Sequence, residues 1–165
     1  MNEASEIIAT ALRAEIEEYG SLLGLFEEQQ QMLFARQAER VLEINFEIEA
    51  TTERLAALRE HREQLVAEFA RSAGQPAGST LRSVLGFFAS EVRPLFEALI
   101  REVNLLVHRV RQTSRHNRIL LQRAIQSQQE ILRAMDPGRF VQTYSAAGRV
   151  GVAAGRSVAT LEVAG

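Results

Sequence analysis

The side chains that could carry out chemistry are few and far apart in this chain of 165 residues. There is no Cys, and the three histidines are His61, His108 and His116. His108 and His116 lie eight residues apart, whereas a helical metal pair needs the i, i+4 spacing that places both rings on one face. Adjacent carboxylates such as Glu27 and Glu28 point around a helix rather than into a pocket. We therefore predict no catalytic residue, no metal site and no cofactor.

An arginine-rich run is the one pattern that indicates nucleic acid, and it comprises Arg109, Arg111, Arg115 and Arg118. Nucleic-acid-binding proteins usually combine such a run with a basic overall charge or with aromatic side chains that stack on bases. Here the formal net charge is −2 and no aromatic residue lies near the run. We predict no nucleic-acid binding and keep a basic-helix nucleic-acid binder as the weaker alternative. Asn117, in the same run, is expected to fix the register of a buried helical interface.

A helical stripe organises the first part of the chain. Mostly apolar residues from Leu12 to Phe69 follow one another at steps of three and four, with two successive fours between Leu33 and Val41. Alternating steps form the seam of a helix that packs lengthwise on another helix, and the doubled four is a stutter. The stripe predicts one helix over about residues 2–72, roughly 100 Å long. A bend at Gly20 and Gly24, or at the stutter, is left open by the sequence.

A linker at residues 72–79, rich in turn residues, ends this helix and lets the chain reverse. The apolar spacing beyond it predicts a short helix over about residues 80–89 and a second long helix over 91–135. The run Asp-Pro-Gly at residues 136–138 stops that helix. The predicted fold is all-α: a long antiparallel helical hairpin or coiled coil with a short connecting helix.

The hairpin should form one domain at residues 1–138, followed by a flexible C-terminal tail at residues 139–165. The tail is rich in Gly and Ala, which disfavour a packed core. A weak strand is the alternative for this segment, formed by Val150, Val152, Val158, Leu161 and Val163.

Charge is distributed unevenly along the chain. Residues 1–72 carry seven Arg and fifteen acidic side chains, whereas residues 73–165 carry twelve Arg and six acidic ones. An acidic first helix and a basic second helix should therefore attract each other. The chain shows neither a secretory signal nor an apolar run of the ~18 residues that a membrane span requires. We predict a cytoplasmic protein without membrane insertion.

Three short segments resemble the FlgN family of flagellar export chaperones over about residues 10–150. They are a leucine-rich start with two glutamates and a glutamine, an Asn-x-x-Leu-Leu segment, and a tyrosine followed by Gly-Arg. In this sequence they are Leu22, Leu23, Leu25, Glu27, Glu28 and Gln29, then Asn117 to Leu121, then Tyr144 to Arg149.

The resemblance implies a chaperone that binds the C-terminal amphipathic segments of hook-associated (hook–filament junction) proteins. It would prevent their premature assembly and deliver them to the flagellar type III export gate. The residues proposed to bind this client are Ile119, Leu121, Ile125 and Leu132, with a wider core stripe against helix one as their alternative role.

The resemblance also implies that Tyr144 and Arg149 dock to the export-gate component. A clip that holds the tail to the hairpin is the alternative role for Tyr144. A homodimer of the client-free protein is a further expectation. A structural coiled-coil subunit of another assembly is the main alternative for the whole chain.

Overall fold

The structure is a computed structural model that describes residues 3–135 and the backbone of residues 140–144 and 150–154. Its elements, in chain order, are α1 (Glu3–Phe34), α2 (Ala38–Ser72), α3 (Leu81–Val84), a 3-10 turn (Leu85–Phe87), α4 (Arg93–Met135), β1 (Phe140–Tyr144) and β2 (Val150–Ala154). The all-α class is confirmed. Residues 1–120 form one compact unit and residues 121–165 another, and each is described by itself.

The single helix predicted over residues 2–72 is wrong: the chain turns back after Phe34 and forms two helices. Arg36 adopts a left-handed backbone conformation, with a φ of 57°. The Gln37 N–H then donates to the Met32 carbonyl at 3.0 Å, and the Arg36 N–H donates to the Leu33 carbonyl at 3.2 Å. These two hydrogen bonds form a Schellman motif, which ends a helix. The doubled step in the stripe therefore marks a turn between two helices and not a stutter within one.

A second Schellman motif ends α2. Gly74 has a φ of 72°, the Gln75 N–H donates to the Ala70 carbonyl at 2.8 Å, and the Gly74 N–H donates to the Arg71 carbonyl at 3.1 Å. Glycine is the usual residue at this position because it has no Cβ to clash in the left-handed region. The end of α2 could therefore be predicted from the sequence, whereas Arg36 gives no such signal.

Ion pairs and hydrogen bonds show that α1 and α2 lie antiparallel. Arg40 Nη2 is 2.7 Å from Glu28 Oε1 near the turn, and Arg54 Nε is 2.8 Å from Glu18 Oε1 further along. The hydrogen bonds that Arg40 donates to Glu28 and then to Glu43 raise the pKa of Arg40 above its usual value, so this cation keeps its charge at any working pH. Arg54 follows Arg40 along α2, whereas its partner Glu18 precedes Glu28 along α1, so the two helices run in opposite directions.

A buried ion pair lies furthest from the turn. Arg62 Nε donates to Glu15 Oε1, and the Glu15 side chain is only 1 % exposed. Removing one member of such a pair would leave the other charge buried and uncompensated, at a cost of about 3–5 kcal/mol. The pair therefore specifies how α1 and α2 face each other.

The first part of α4 packs on this hairpin and runs parallel to α1. Near its start, Phe96 packs in a cluster with Ile8 of α1 and Val66 of α2, and further along Leu106 packs with Tyr19 and Leu55. The rings of Phe69, Phe88 and Phe96 stack, with centroids 4.2 and 4.5 Å apart. Residues 3–120 thus form a three-helix bundle, in which antiparallel pairing already occurs within the first 72 residues.

The predicted attraction between an acidic and a basic half contributes one ion pair in the described residues. Arg109 Nη2 of α4 lies 3.5 Å from Glu27 Oε1 of α1, and both side chains are about half exposed. Exposed pairs of this kind contribute at most about 1 kcal/mol. Apolar packing therefore holds α4 on the hairpin.

The connecting segment contains less helix than predicted. The helix expected over residues 80–89 is α3 followed by the 3-10 turn. Thr80 caps α3 by accepting a hydrogen bond from the Ser83 N–H at 3.3 Å. Arg93 donates to the carbonyls of Phe88 and Gly86 at 2.9 and 2.8 Å, which occupies the acceptors that a longer helix would use. The second long helix then begins at Arg93 and ends at Met135, close to the predicted bounds.

Of the two positions considered for a bend, the structure has its break at the doubled step, whereas α1 is continuous through Gly20 and Gly24. A Cβ added at either position would meet nothing within 4 Å, so no neighbour approaches closely there. The two glycines are therefore tolerated residues within the helix.

Strands β1 and β2 lie in the segment predicted to be a tail. They pair antiparallel, with Phe140 opposite Ala154 and Tyr144 opposite Val150. Two of the five residues considered for a weak strand, Val150 and Val152, lie in β2. The other three, Val158, Leu161 and Val163, lie outside the described residues.

Arg36→Gly should stabilise the protein, because a left-handed conformation costs a residue with a Cβ about 1–2 kcal/mol and costs glycine almost nothing. We expect the free energy of unfolding to rise by roughly 0.5–1 kcal/mol, since the greater unfolded-state freedom of glycine offsets part of the gain. Urea denaturation followed by circular dichroism measures it. Gly74→Ala is the matched control and should lower stability by a similar amount. A loss of stability in Arg36→Gly would contradict this account of the turn.

Candidate functional site

The residues considered for catalysis or metal binding do not come together. His61, His108 and His116 are all exposed. Within the described residues, no group of three or more His, Cys, Asp and Glu side chains could hold a metal ion.

A polar layer crosses the bundle where α1, α2 and α4 meet. Asn117 is 1 % exposed, and its Nδ2 donates to the Phe26 carbonyl at 2.6 Å and to Gln29 Oε1 at 2.8 Å. Gln29 Nε2 in turn donates to Asn45 Oδ1 of α2 at 2.6 Å. Asn117 of α4 is thereby bonded directly to α1 and is linked through Gln29 to Asn45 of α2. The interpretation of Asn117 as a buried register residue agrees with this geometry.

Asn117 is also the last buried residue of α4. In the part of the chain that the structure describes, every side chain from Gln122 to Leu132 is exposed. Three large apolar residues in the last part of α4 are among the exposed ones: Ile125 is 51 %, Leu132 49 % and Met135 78 % exposed. Exposed apolar residues that form a contiguous patch indicate an interaction surface.

Four of these residues share one face of the helix, and we call Leu121, Ile125, Leu132 and Met135 the apolar stripe. With Gln128 between them, they follow steps of four and three. At 3.6 residues per turn they lie within an arc of about 80° and span roughly 21 Å. Leu121 is half-buried and the other three are exposed. The stripe has the spacing with which a helix contacts a second helix.

Ile119, the fourth residue predicted to bind the client, does not lie on this stripe. It is two residues before Leu121, which places it about 200° around the helix. It is 43 % exposed. Met135 lies on the stripe three residues after Leu132 and is not among the residues predicted to bind the client.

The two residues predicted to dock to the export gate fall in or beside the strands. Tyr144 is the last residue of β1 and is paired in the backbone with Val150. Arg149 lies outside the described residues. Both roles stay predictions.

The fold is thus an all-α bundle whose last helix carries an uncovered apolar stripe. A comparison with protein-family models matches residues 1–150 to the FlgN protein family. The chain belongs to the FlgN family, a family of chaperones rather than enzymes, and its general role is that of a flagellar export chaperone for hook-associated proteins. No curated protein and no solved structure matches the chain significantly. None of the described helices combines the length and the apolar character needed to cross a bilayer.

Asn117→Leu should destabilise the bundle, because it leaves the buried Gln29 Oε1 without its donor. An unsatisfied buried polar atom costs about 1–3 kcal/mol, which chemical denaturation would measure. His116→Leu, at an exposed neighbouring position, should change stability by less than ~0.5 kcal/mol. Gln29→Leu in the Asn117→Leu background should recover part of the loss, since both partners are then apolar. Equal stability of wild type and Asn117→Leu would show that the polar layer contributes nothing.

Proposed function

We propose that this chaperone holds the amphipathic C-terminal segment of a hook-associated protein along the apolar stripe of α4. Leu121, Ile125 and Leu132 were predicted as client residues from the sequence, and Met135 extends their stripe by one turn. The observation that carries the proposal is the run of exposed side chains from Gln122 to Leu132, which leaves these apolar residues uncovered in the described structure. An amphipathic client helix would cover them with its own apolar face.

The size of the stripe is consistent with reversible binding. Full burial of an exposed Leu, Ile or Met side chain stabilises a complex by about 1.5–3 kcal/mol. The four residues of the apolar stripe are already partly buried, so each can contribute only part of that amount. Immobilising the client offsets much of that gain. A complex of moderate affinity can keep the client unassembled and still release it for export. The proposed location of this exchange is the cytoplasm.

Ile119 is a separate contact in this proposal, because it lies on the opposite side of α4 from Leu121. It would touch the client only if the client wrapped around the helix. We therefore expect Ile119→Ala to affect client binding less than Ile125→Ala does.

We also propose that Tyr144 and Arg149 contact the export-gate component after a client has been loaded. Tyrosine is suited to docking because it offers a large apolar area, a hydroxyl group and few rotatable bonds to immobilise. Arg149, five residues later in the sequence, is suited to pair with a carboxylate of the gate. The support for this role is the family resemblance of the segment from Tyr144 to Arg149.

Leu132→Glu should abolish client binding and spare the fold, because Leu132 is about half exposed. Losing one buried leucine and placing an unpaired charge in the contact should raise the Kd by at least ~100-fold, beyond the range in which binding is detected. The measurement is titration calorimetry with a peptide from the C-terminal end of a hook-associated protein. Gln126→Glu adds the same charge on the other side of α4 and should leave the Kd unchanged.

Leu120→Glu tests the contrast between the stripe and the packed face. Leu120 is half-buried, so a carboxylate there should lower the melting temperature as well as affect the client. If Leu132→Glu lowered the melting temperature as much as Leu120→Glu, α4 would have no free face, and the client site would lie elsewhere.

Tyr144→Ala tests gate docking in a flagellated host, with client affinity and melting temperature measured on the purified variant. Docking predicts unchanged affinity and unchanged melting temperature together with poor secretion of the client. A lower melting temperature would identify Tyr144 as a clip instead. Lost client binding with normal gate contact would identify it as a client residue.

A further inference from the structure

The outward side of α2 carries a second helical stripe that the bundle does not use. Phe46 lies two residues after the buried Ile44, and therefore about 200° around the helix, on the side away from the core. Residues at steps of three and four on this side are all exposed, and we call them the acidic stripe: Glu39, Leu42, Phe46, Glu49, Glu53, Ala56 and Glu60. Leu42 is 60 % and Phe46 72 % exposed.

The outward side of α4 carries a matching stripe of opposite charge. Ile119 lies two residues after the buried Asn117 and so faces away from the core in the same way. At steps of four and three the exposed residues on this side form the basic stripe: Arg101, Leu105, His108, Gln112, Arg115 and Ile119. Leu105 is 53 % and Ile119 43 % exposed, and the exposed Arg111 and Arg118 flank the stripe.

The charges of both stripes are uncompensated among the described residues. The ion pairs there involve Arg40, Arg54, Arg62 and Arg109 with their acidic partners, and no residue of either stripe takes part. The acidic stripe spans roughly 32 Å and the basic stripe roughly 27 Å, so the two are of similar length. Each also has two large apolar residues among its charges, as helix interfaces do.

We propose that the acidic stripe of α2 and the basic stripe of α4 are the two halves of an interface between copies of this chain. The charge pattern favours α2 of one copy against α4 of another, because α2 against α2 or α4 against α4 would bring like charges together. The four apolar residues Leu42, Phe46, Leu105 and Ile119 are buried at this contact, and the Glu and Arg residues pair along its edges. In a two-fold dimer the contact is made twice.

This interface does not depend on the proposed client site, because it shares no residue with the apolar stripe at the end of α4. It gives the expected homodimer a surface that stays available when a client is bound. Ile119 also acquires a partner here, which accounts for its position away from Leu121.

Charge reversal tests the interface by sedimentation velocity. One variant carries Glu49→Arg and Glu53→Arg, which places basic residues at the centre of the acidic stripe. The other carries Arg111→Glu and Arg115→Glu, which places acidic residues at the centre of the basic stripe and at its flank. We expect wild type to dimerise at low salt and to dissociate as salt is raised, since salt screens exposed charge pairs. Each variant alone should dimerise at least ~10-fold more weakly, because like charges then face each other. An equimolar mixture of the two variants should dimerise again.

The mixture is informative because mixing cannot repair a folding defect, whereas it does restore opposite charges across the two stripes. Glu17→Arg reverses an exposed charge of α1 and should leave the dimer unchanged. Phe46→Ala should weaken the dimer without lowering the melting temperature. A wild-type protein that stays monomeric up to roughly 100 μM, well above the micromolar Kd of a weak specific interface, would overturn the proposal. So would a mixture that fails to associate. Leu132→Glu should stay dimeric, so loss of client binding and loss of the dimer are separately measurable.

Discussion

The structure depends on where α1 is forced to end. Because the chain turns at Arg36, α1 offers α4 a packing surface only as far as Phe34, and its last buried residue is Gln29. α4 runs parallel to α1 from Phe96 and reaches the level of Gln29 at Asn117, which is its own last buried residue. A helix of 43 residues has therefore used its buried positions well before its end at Met135. The apolar stripe lies in the exposed remainder of α4, and its residues need no unusual composition to be available for binding.

Much of the fold could be predicted from the spacing of apolar residues, and the main error had a physical cause. The stripe runs from Leu12 to Phe69 without a visible break because α1 and α2 each turn a stripe of the same period toward one core. A turn of three residues between them changes the spacing by only one position, which resembles a stutter in a single helix. Helix ends are found in sequences through glycine and proline, as at Gly74 and Pro137. Arg36 occupies the same backbone conformation as Gly74 and gives no such signal, so only the tertiary structure reveals the turn.

The candidate site was predicted in part for a related reason. Asn117 stands out as a polar residue in an apolar stripe, and it is buried with partners on α1. It is harder to tell from the sequence which apolar residues of α4 are buried and which are exposed. A helix has 3.6 residues per turn, so a repeat of threes and fours drifts around the helix, and over 43 residues the buried side changes position. The sequence therefore groups Ile119 with Leu121 and leaves Met135 out of the predicted client residues. The family assignment supplied the kind of client, which no pattern of leucines specifies, and the two outward stripes could be separated from the core only after buried residues such as Ile44 were known.

The uncovered end of α4 also has a thermodynamic consequence. Forming the first turn of a helix is the expensive step, and an isolated segment of about fourteen residues is marginal in water. The segment from Gln122 to Met135 continues a helix that is anchored upstream at Phe96, Leu106 and Asn117, so each added residue requires propagation and no new nucleus. Its order is sustained by backbone hydrogen bonds and by solvated Gln and Arg side chains, and it has a lower local stability than the anchored part. A ligand that binds along this segment would lose its own conformational freedom, but the helix that receives it is already largely ordered. Binding would also suppress the fraying of that helix toward Met135.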